Sequence, residues 1–115
     1  MANTFKTVTK AGVTSADVIY TVAGSTTTVI LGLILGNTTT SQITATVTLE
    51  SDTRNRAGAN NEANQNVELV TNAPIPAGSS LEMLAGNKVV METTDVLKVT
   101  GSGATDVVLS IMEIT

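Results

Sequence analysis

Residues Gln42–Glu50, QITATVTLE, alternate strictly: Ile43, Ala45, Val47 and Leu49 fall on one side, Thr44, Thr46, Thr48 and Glu50 on the other. Period-2 alternation of this kind predicts a half-buried antiparallel strand with a solvated threonine face. The closing segment, Asp106–Thr115 (DVVLSIMEIT), is apolar on both parities. It predicts a central strand covered on both sides, or one whose second face is covered by another subunit. The same holds for residues 27–36, which contain the run Val29–Leu35, VILGLIL.

Extended along the chain, this pattern predicts eight to nine strands, near 3–9, 17–22, 27–36, 42–50, 67–71, 80–84, 88–92, 95–100 and 106–114. Turn residues separate them: Ala23-Gly24-Ser25, Gly36-Asn37, Pro74–Gly78, Ala85-Gly86-Asn87, Thr93-Thr94-Asp95 and Gly101-Ser102-Gly103. Short strands at this spacing predict an all-β fold, an antiparallel β-sandwich of jelly-roll type. Few stretches show helical spacing. The 115 residues suit a single domain, 1–115, with a core large enough to need no disulfide or metal. The strand order does not follow from the pattern.

One segment breaks the rhythm. Residues 51–66, SDTRNRAGANNEANQN, carry no large apolar side chain and five asparagines. A polar loop of this length is either a surface excursion or an arm that orders against a neighbouring subunit. Arg54 and Arg56 are two of only six basic residues, so these two, with Asn60 and Asn61, are candidates for inter-subunit contact. Ile114, an apolar outward position of the closing strand, is a fifth.

Composition narrows the chemistry. Threonine occurs 21 times, and β-branched side chains fit a pleated sheet better than a helix. There is no histidine or cysteine, which removes Ser-His and Cys-His catalytic pairs and the residues that dominate structural zinc sites. A net charge of −4 opposes nucleic-acid binding, and one Phe with one Tyr leaves no stacking platform. The longest apolar run, seven residues, is far short of the roughly 20 a membrane helix needs. The start, MANTFKTVTK, has no apolar core of a signal peptide.

The remaining candidates for chemistry read better as structure. Ser25 follows Gly24 and Ser79-Ser80 follow Gly78, but neither lies in G-x-S-x-G, and both glycines suit turns. Glu82, Glu92, Asp95 and Asp106 are carboxylates at strand ends, without aromatics to line a sugar cleft. Asp52, Asn55, Asn60, Asn61 and Glu62 offer oxygen ligands without calcium-loop spacing. No catalytic residue, cofactor or metal site is expected.

Three phrases carry a resemblance: Ala73–Leu81 (APIPAGSSL), Lys88–Glu92 (KVVME) and Asp95–Val99 (DVLKV), closed by Leu109–Ile114 (LSIMEI). In this order they resemble small virion proteins of marine tailed bacteriophages, and Val18–Val22 before a Ser/Thr-rich turn is similar too. Thr94 stands where that pattern has glycine, and segment 51–66 has no counterpart in it. The resemblance implies a virion structural protein made in the host cytoplasm. The leading expectation is a capsid decoration (cement) protein that binds the major capsid protein of the assembled shell. A tail, neck or fibre component is the alternative, and a non-viral binding or adhesion module a second. A homo-oligomer is expected, a trimer on a capsid coat.

Overall fold

The computed structural model describes residues 2–51, 65–84 and 87–115. Nine strands follow in order: β1 (Asn3–Val13), β2 (Asp17–Thr21), β3 (Thr27–Asn37), β4 (Ile43–Ser51), β5 (Gln65–Ile75), β6 (Ser80–Met83), β7 (Val89–Met91), β8 (Val96–Gly101) and β9 (Thr105–Ile114). There is no helix among the described residues. One sheet, here the first, has the order β1-β9-β3-β6, with β7 also on β3; the second has the order β2-β8-β4-β5.

The pairings are nested. β4 pairs β5, β3 pairs β6 and β7, β2 pairs β8, and β1 pairs β9, all antiparallel. The chain is therefore one long double strand rolled on itself, closed by β3 against β9 and β4 against β8. This is the jelly roll expected from the spacing.

The core lies between the sheets. Leu33, Leu35, Leu109 and Ile111 of the first sheet meet Val47, Leu97 and Val99 of the second, all fully or almost fully buried. Each such side chain contributes roughly 1.5–3 kcal/mol by leaving water. In β3 the inward parity changes: Thr28 and Ile30 point to the core, then Leu33, Leu35 and Asn37. A β-bulge between Ile30 and Gly32 absorbs the shift and turns Leu31 out of the alternation.

Most strand ends fall within about one residue of the sequence reading, and three differences have a local reason. β1 continues to Val13 through a bulge, where Gly12 takes φ +67 and its N–H donates to Asp106 Oδ1 at 2.9 Å. β5 runs through Pro74, because an edge strand has no outer ladder bond for proline to lose. Asn37 was expected in a turn but ends β3 in the core, at 4% exposure. Its Nδ2 donates to the carbonyls of Ser41, Ile75 and Pro76 at 2.8, 2.9 and 3.2 Å, and its Oδ1 accepts from the backbone N–H of Thr39 at 2.8 Å. Buried and fully engaged, it pins the crossing from one sheet to the other.

Pairing also takes up both ends of the polar segment 51–66: Ser51 faces Gln65 and Glu50 faces Asn66. Arg54, Arg56, Asn60 and Asn61 lie outside the described residues, as do Asp52, Asn55 and Glu62.

Candidate interaction surface

The two sheets present different outer faces. Beyond the core side of the second sheet, Thr44, Thr46, Thr48 and Glu50 of β4 alternate outward, with Lys98 and Thr100 of β8 beside them. Lys98 Nζ holds Glu50 Oε2 at 2.8 Å across this face. The threonine face predicted for residues 42–50 is thus present and polar.

The first sheet is apolar on its outside. In β9 the core takes Val107, Leu109 and Ile111, so Val108, Ser110, Met112 and Ile114 face outward. The strand registers then build three rows across the sheet. Phe5, Met112, Val29 and Val90 stand side by side in the first. Thr9, Val108, Ile34 and Glu82 form the last. Between them run Thr7, Ser110 and Gly32, all small.

Small residues between two large rows leave an open hollow of about 280 Å³, lined by Phe5, Lys6, Thr7, Leu31, Ser110 and Ile111. The bulge in β3 brings Leu31 to its wall. Phe5 is 71% exposed and Val90 58%, with Ile34 and Val108 also exposed. Four large apolar side chains concentrated on one sheet face mark an interaction surface rather than scattered surface apolarity.

Ile114 lies on this same face, half-buried, between Asn3 and Thr27 at the end of β9. It stands beyond the first row, not within it. Of the other sequence candidates, Glu82 ends the last row on β6, and several others hold turns. Asp95 is buried and its Oδ2 accepts the N–H of Glu92 at 3.0 Å, while Asp106 holds the β1 bulge. Ser25 occupies a left-handed turn position at φ +56. Among the described residues no three of Asp and Glu cluster as metal ligands.

Sequence reasoning missed one polar constellation, at the open end of the core. Glu113 lies on the inward parity of β9, where its Oε1 meets Lys6 Nζ of β1 at 2.7 Å. Its Oε2 accepts from Tyr20 Oη of β2 at 2.6 Å, and Tyr20 Oη lies 2.7 Å from Thr28 Oγ1 of β3. The single phenol proton goes to Glu113, so Thr28 is the donor to Tyr20. Lys6, and then Tyr20, hold the Glu113 carboxyl below its ordinary range; burial, then Glu113, push the Tyr20 phenol up to about 12. The apolar neighbours of Glu113 were the available signal: a charge between Met112 and Ile114, on the parity of Leu109 and Ile111, needs a partner.

No protein-family model matches the chain, and no curated protein matches its sequence. Among solved structures, a chain of infectious bursal disease virus, Gx strain, gives a TM-score of 0.54 at 13% identity, over 98% of this chain and 33% of that one. A chain of the T13 particle of that virus gives 0.46 at 10% identity, over 96% and 35%. A Bacillus endospore appendage, from a family of disulfide-linked pili, gives 0.49 at 15% identity, over 99% and 87%. The chain spans about a third of the two viral chains. At 13% identity the first of these is a likeness of fold alone, and it does not single out marine tailed bacteriophages.

Proposed function

We propose that this chain is a bacteriophage virion structural protein without enzymatic activity, a capsid decoration protein that seats its first sheet on the assembled shell. The contrast between the two outer faces carries this reading: one carries threonines, an ion pair and a single exposed valine, Val18, the other Phe5, Ile34, Val90, Val108 and Met112. A surface built this way buries apolar area against a partner and keeps the far side solvated. The phrases that resemble small phage virion proteins support it, as does the fold shared with a chain of infectious bursal disease virus.

The mechanism is passive. A protein that binds only the assembled state stabilises that state by linkage, by an amount set by its concentration over its dissociation constant. Many copies bound to one shell turn weak single contacts into a firm hold. The major capsid protein is the proposed partner.

The test is fractionation of the particle that carries the chain. Heads stripped of their tails should retain it in many copies, and adding the pure protein to bare heads should raise their melting temperature. Recovery with tails or necks alone would overturn the decoration role in favour of the tail reading.

A further inference from the structure

The two sheets have four edges, one of them shared by β6 and β7, and they are not equivalent. β5 contains Pro74 and two register shifts; β2 has five residues and a shift between Val18 and Tyr20; β6 and β7 are fragments of four and three residues. These are the usual devices that blunt an edge. β1 has no proline and no register shift from Asn3 to Lys10, where its pairing with β9 is unbroken, and its only blunting device is two lysines, Lys6 and Lys10, on the inner face.

The backbone groups on the open side of β1 can be assigned. Ala2 and Thr115 exchange two bonds, Ala2 N–H to Thr115 O at 3.3 Å and Thr115 N–H to Ala2 O at 3.0 Å. Antiparallel pairs alternate between bonded and non-bonded, so Thr4, Lys6, Val8 and Lys10 bond to β9. Asn3, Phe5, Thr7 and Thr9 therefore turn their N–H and C=O groups away from β9, to the sheet edge. No strand among the described residues pairs there.

We propose that β1 pairs antiparallel with β1 of a second copy about a two-fold axis at Thr7, joining two first sheets into one continuous sheet. In this register Thr7 faces the partner copy's Thr7 and Phe5 faces its Thr9. Three bonded pairs result, of two hydrogen bonds each, so about six in all.

Three observations select an identical partner and this register. On the outer face the row Val90–Val29–Met112–Phe5 becomes collinear with Thr9–Val108–Ile34 of the other copy, and the reverse. The small-residue rows, Thr7–Ser110–Gly32, also meet end to end, so the two hollows become one trough between apolar ridges. On the inner face Lys6 falls opposite Val8 and Lys10 opposite Thr4, with no lysine facing lysine. Thr4 neighbours Glu113, which brings Lys10 within two strands of the other copy's carboxylate. A slip of two residues in the pairing moves the centre by one and places like residues less well: a centre at Lys6 opposes the two copies' Lys6 directly, and a centre at Val8 opposes Lys6 to Lys10.

Identical strands paired antiparallel close after two copies, so the product is a dimer rather than an open fibre. The pairing does not depend on what the outer face docks against.

Sedimentation of the full chain should show a concentration-dependent dimer. Thr7→Pro removes an edge N–H that β9 does not use, so it should give a monomer with unchanged circular dichroism. Thr7→Lys and Thr7→Glu should each be monomeric, and an equimolar mixture should restore the dimer; this pair decides the matter if the proline variant fails to fold. The chain has no cysteine, so Thr7→Cys is a unique thiol. Opposed bonded residues lie about 5.5 Å apart, within disulfide reach, and oxidation should cross-link Thr7→Cys but not Phe5→Cys, whose two copies lie roughly 15 Å apart. A monomer at every concentration, a trimer, or a Thr7→Pro variant that associates like the parent would overturn the pairing.

Discussion

Tyr20 Oη donates a 2.6 Å hydrogen bond to Glu113 Oε2, tying β2 of the second sheet to β9 of the first. Thr28 and Lys6 complete the contact, so four strands meet at two side chains. With Asn37, which donates from β3 to the Ile75 carbonyl of β5, it gives an otherwise aliphatic sheet interface a directional fastening.

Tyr20→Phe should therefore lower stability by about 1.5–3 kcal/mol, the range for a hydrogen bond to a charged acceptor. The pH profile separates this loss from lost packing. Tyr20 stays protonated in the fold up to about 12 against an ordinary 10.0, so its contribution is intact below pH 10 and lost as pH rises towards 12. Glu113 titrates low in the fold, so its contribution holds above the ordinary carboxylate range and is lost as pH falls through its depressed value. Chemical denaturation from pH 2 to 12 should show both limbs in the parent and only the acid limb in Tyr20→Phe. An unchanged alkaline limb in the variant would refute the assignment.

Thr94 takes φ +73, a conformation that β-branched residues rarely adopt and glycine adopts freely. It stands where the phage-like pattern has glycine, so the turn has the glycine geometry without the glycine. Thr94→Gly should raise stability by about 1 kcal/mol, or roughly 4 °C in Tm, measured by thermal unfolding. A loss of stability would show that the threonine's own contacts outweigh its strain.

Asn37→Ala should cost about 2–3 kcal/mol, since it strips the donor from three backbone carbonyls at the sheet crossing. Asn37→Asp tests the same point without changing volume, because the carboxylate places acceptors against those acceptors. It should be no more stable than the alanine variant in a urea titration.

Ser51 and Gln65 face each other as the last pair of β4 and β5, so a two-residue turn suffices to join them. Replacing residues 52–64 by Asn-Gly should leave Tm unchanged or raise it, with a closure gain of up to about 1.5 kcal/mol. If Arg54, Arg56, Asn60 and Asn61 serve a neighbouring subunit, the same protein should bind heads less tightly while remaining folded.

The strands were legible because each needs only local alternation. Residues 43–50 announce their inner and outer faces, and every expected strand has its counterpart. The pairing was not legible, because nothing local in β1 says that it will lie beside β9, a hundred residues away. The double apolar parity of 27–36 and 106–114 did foreshadow the outer face of the first sheet. Its row structure stayed hidden, since it depends on the β3 bulge that shifts parity between Ile30 and Gly32. Asn37 was read as a turn residue because its type favours turns; three carbonyls converging from two other segments override that preference.

The apolar face yields the sharpest separation of folding from binding. Ile34 is 42% exposed at the centre of the last row, with Val108 on one side and Glu82 on the other. Its side chain packs on no core residue's inner face, so Ile34→Lys should cost under about 1 kcal/mol of monomer stability, as surface changes do. In a seated complex the same lysine is desolvated against an apolar partner, a loss of several kcal/mol. Val90→Glu, in the first row, should behave alike. Ile114→Lys lies beyond the rows beside Asn3 and Thr27 and should weaken head binding less than either. Thr46→Lys, on the threonine face, should leave binding unchanged. Co-sedimentation with purified heads measures all four at once, with Tm as the folding control. Equal losses from the threonine face and the apolar face would mean that the first sheet is not the seat.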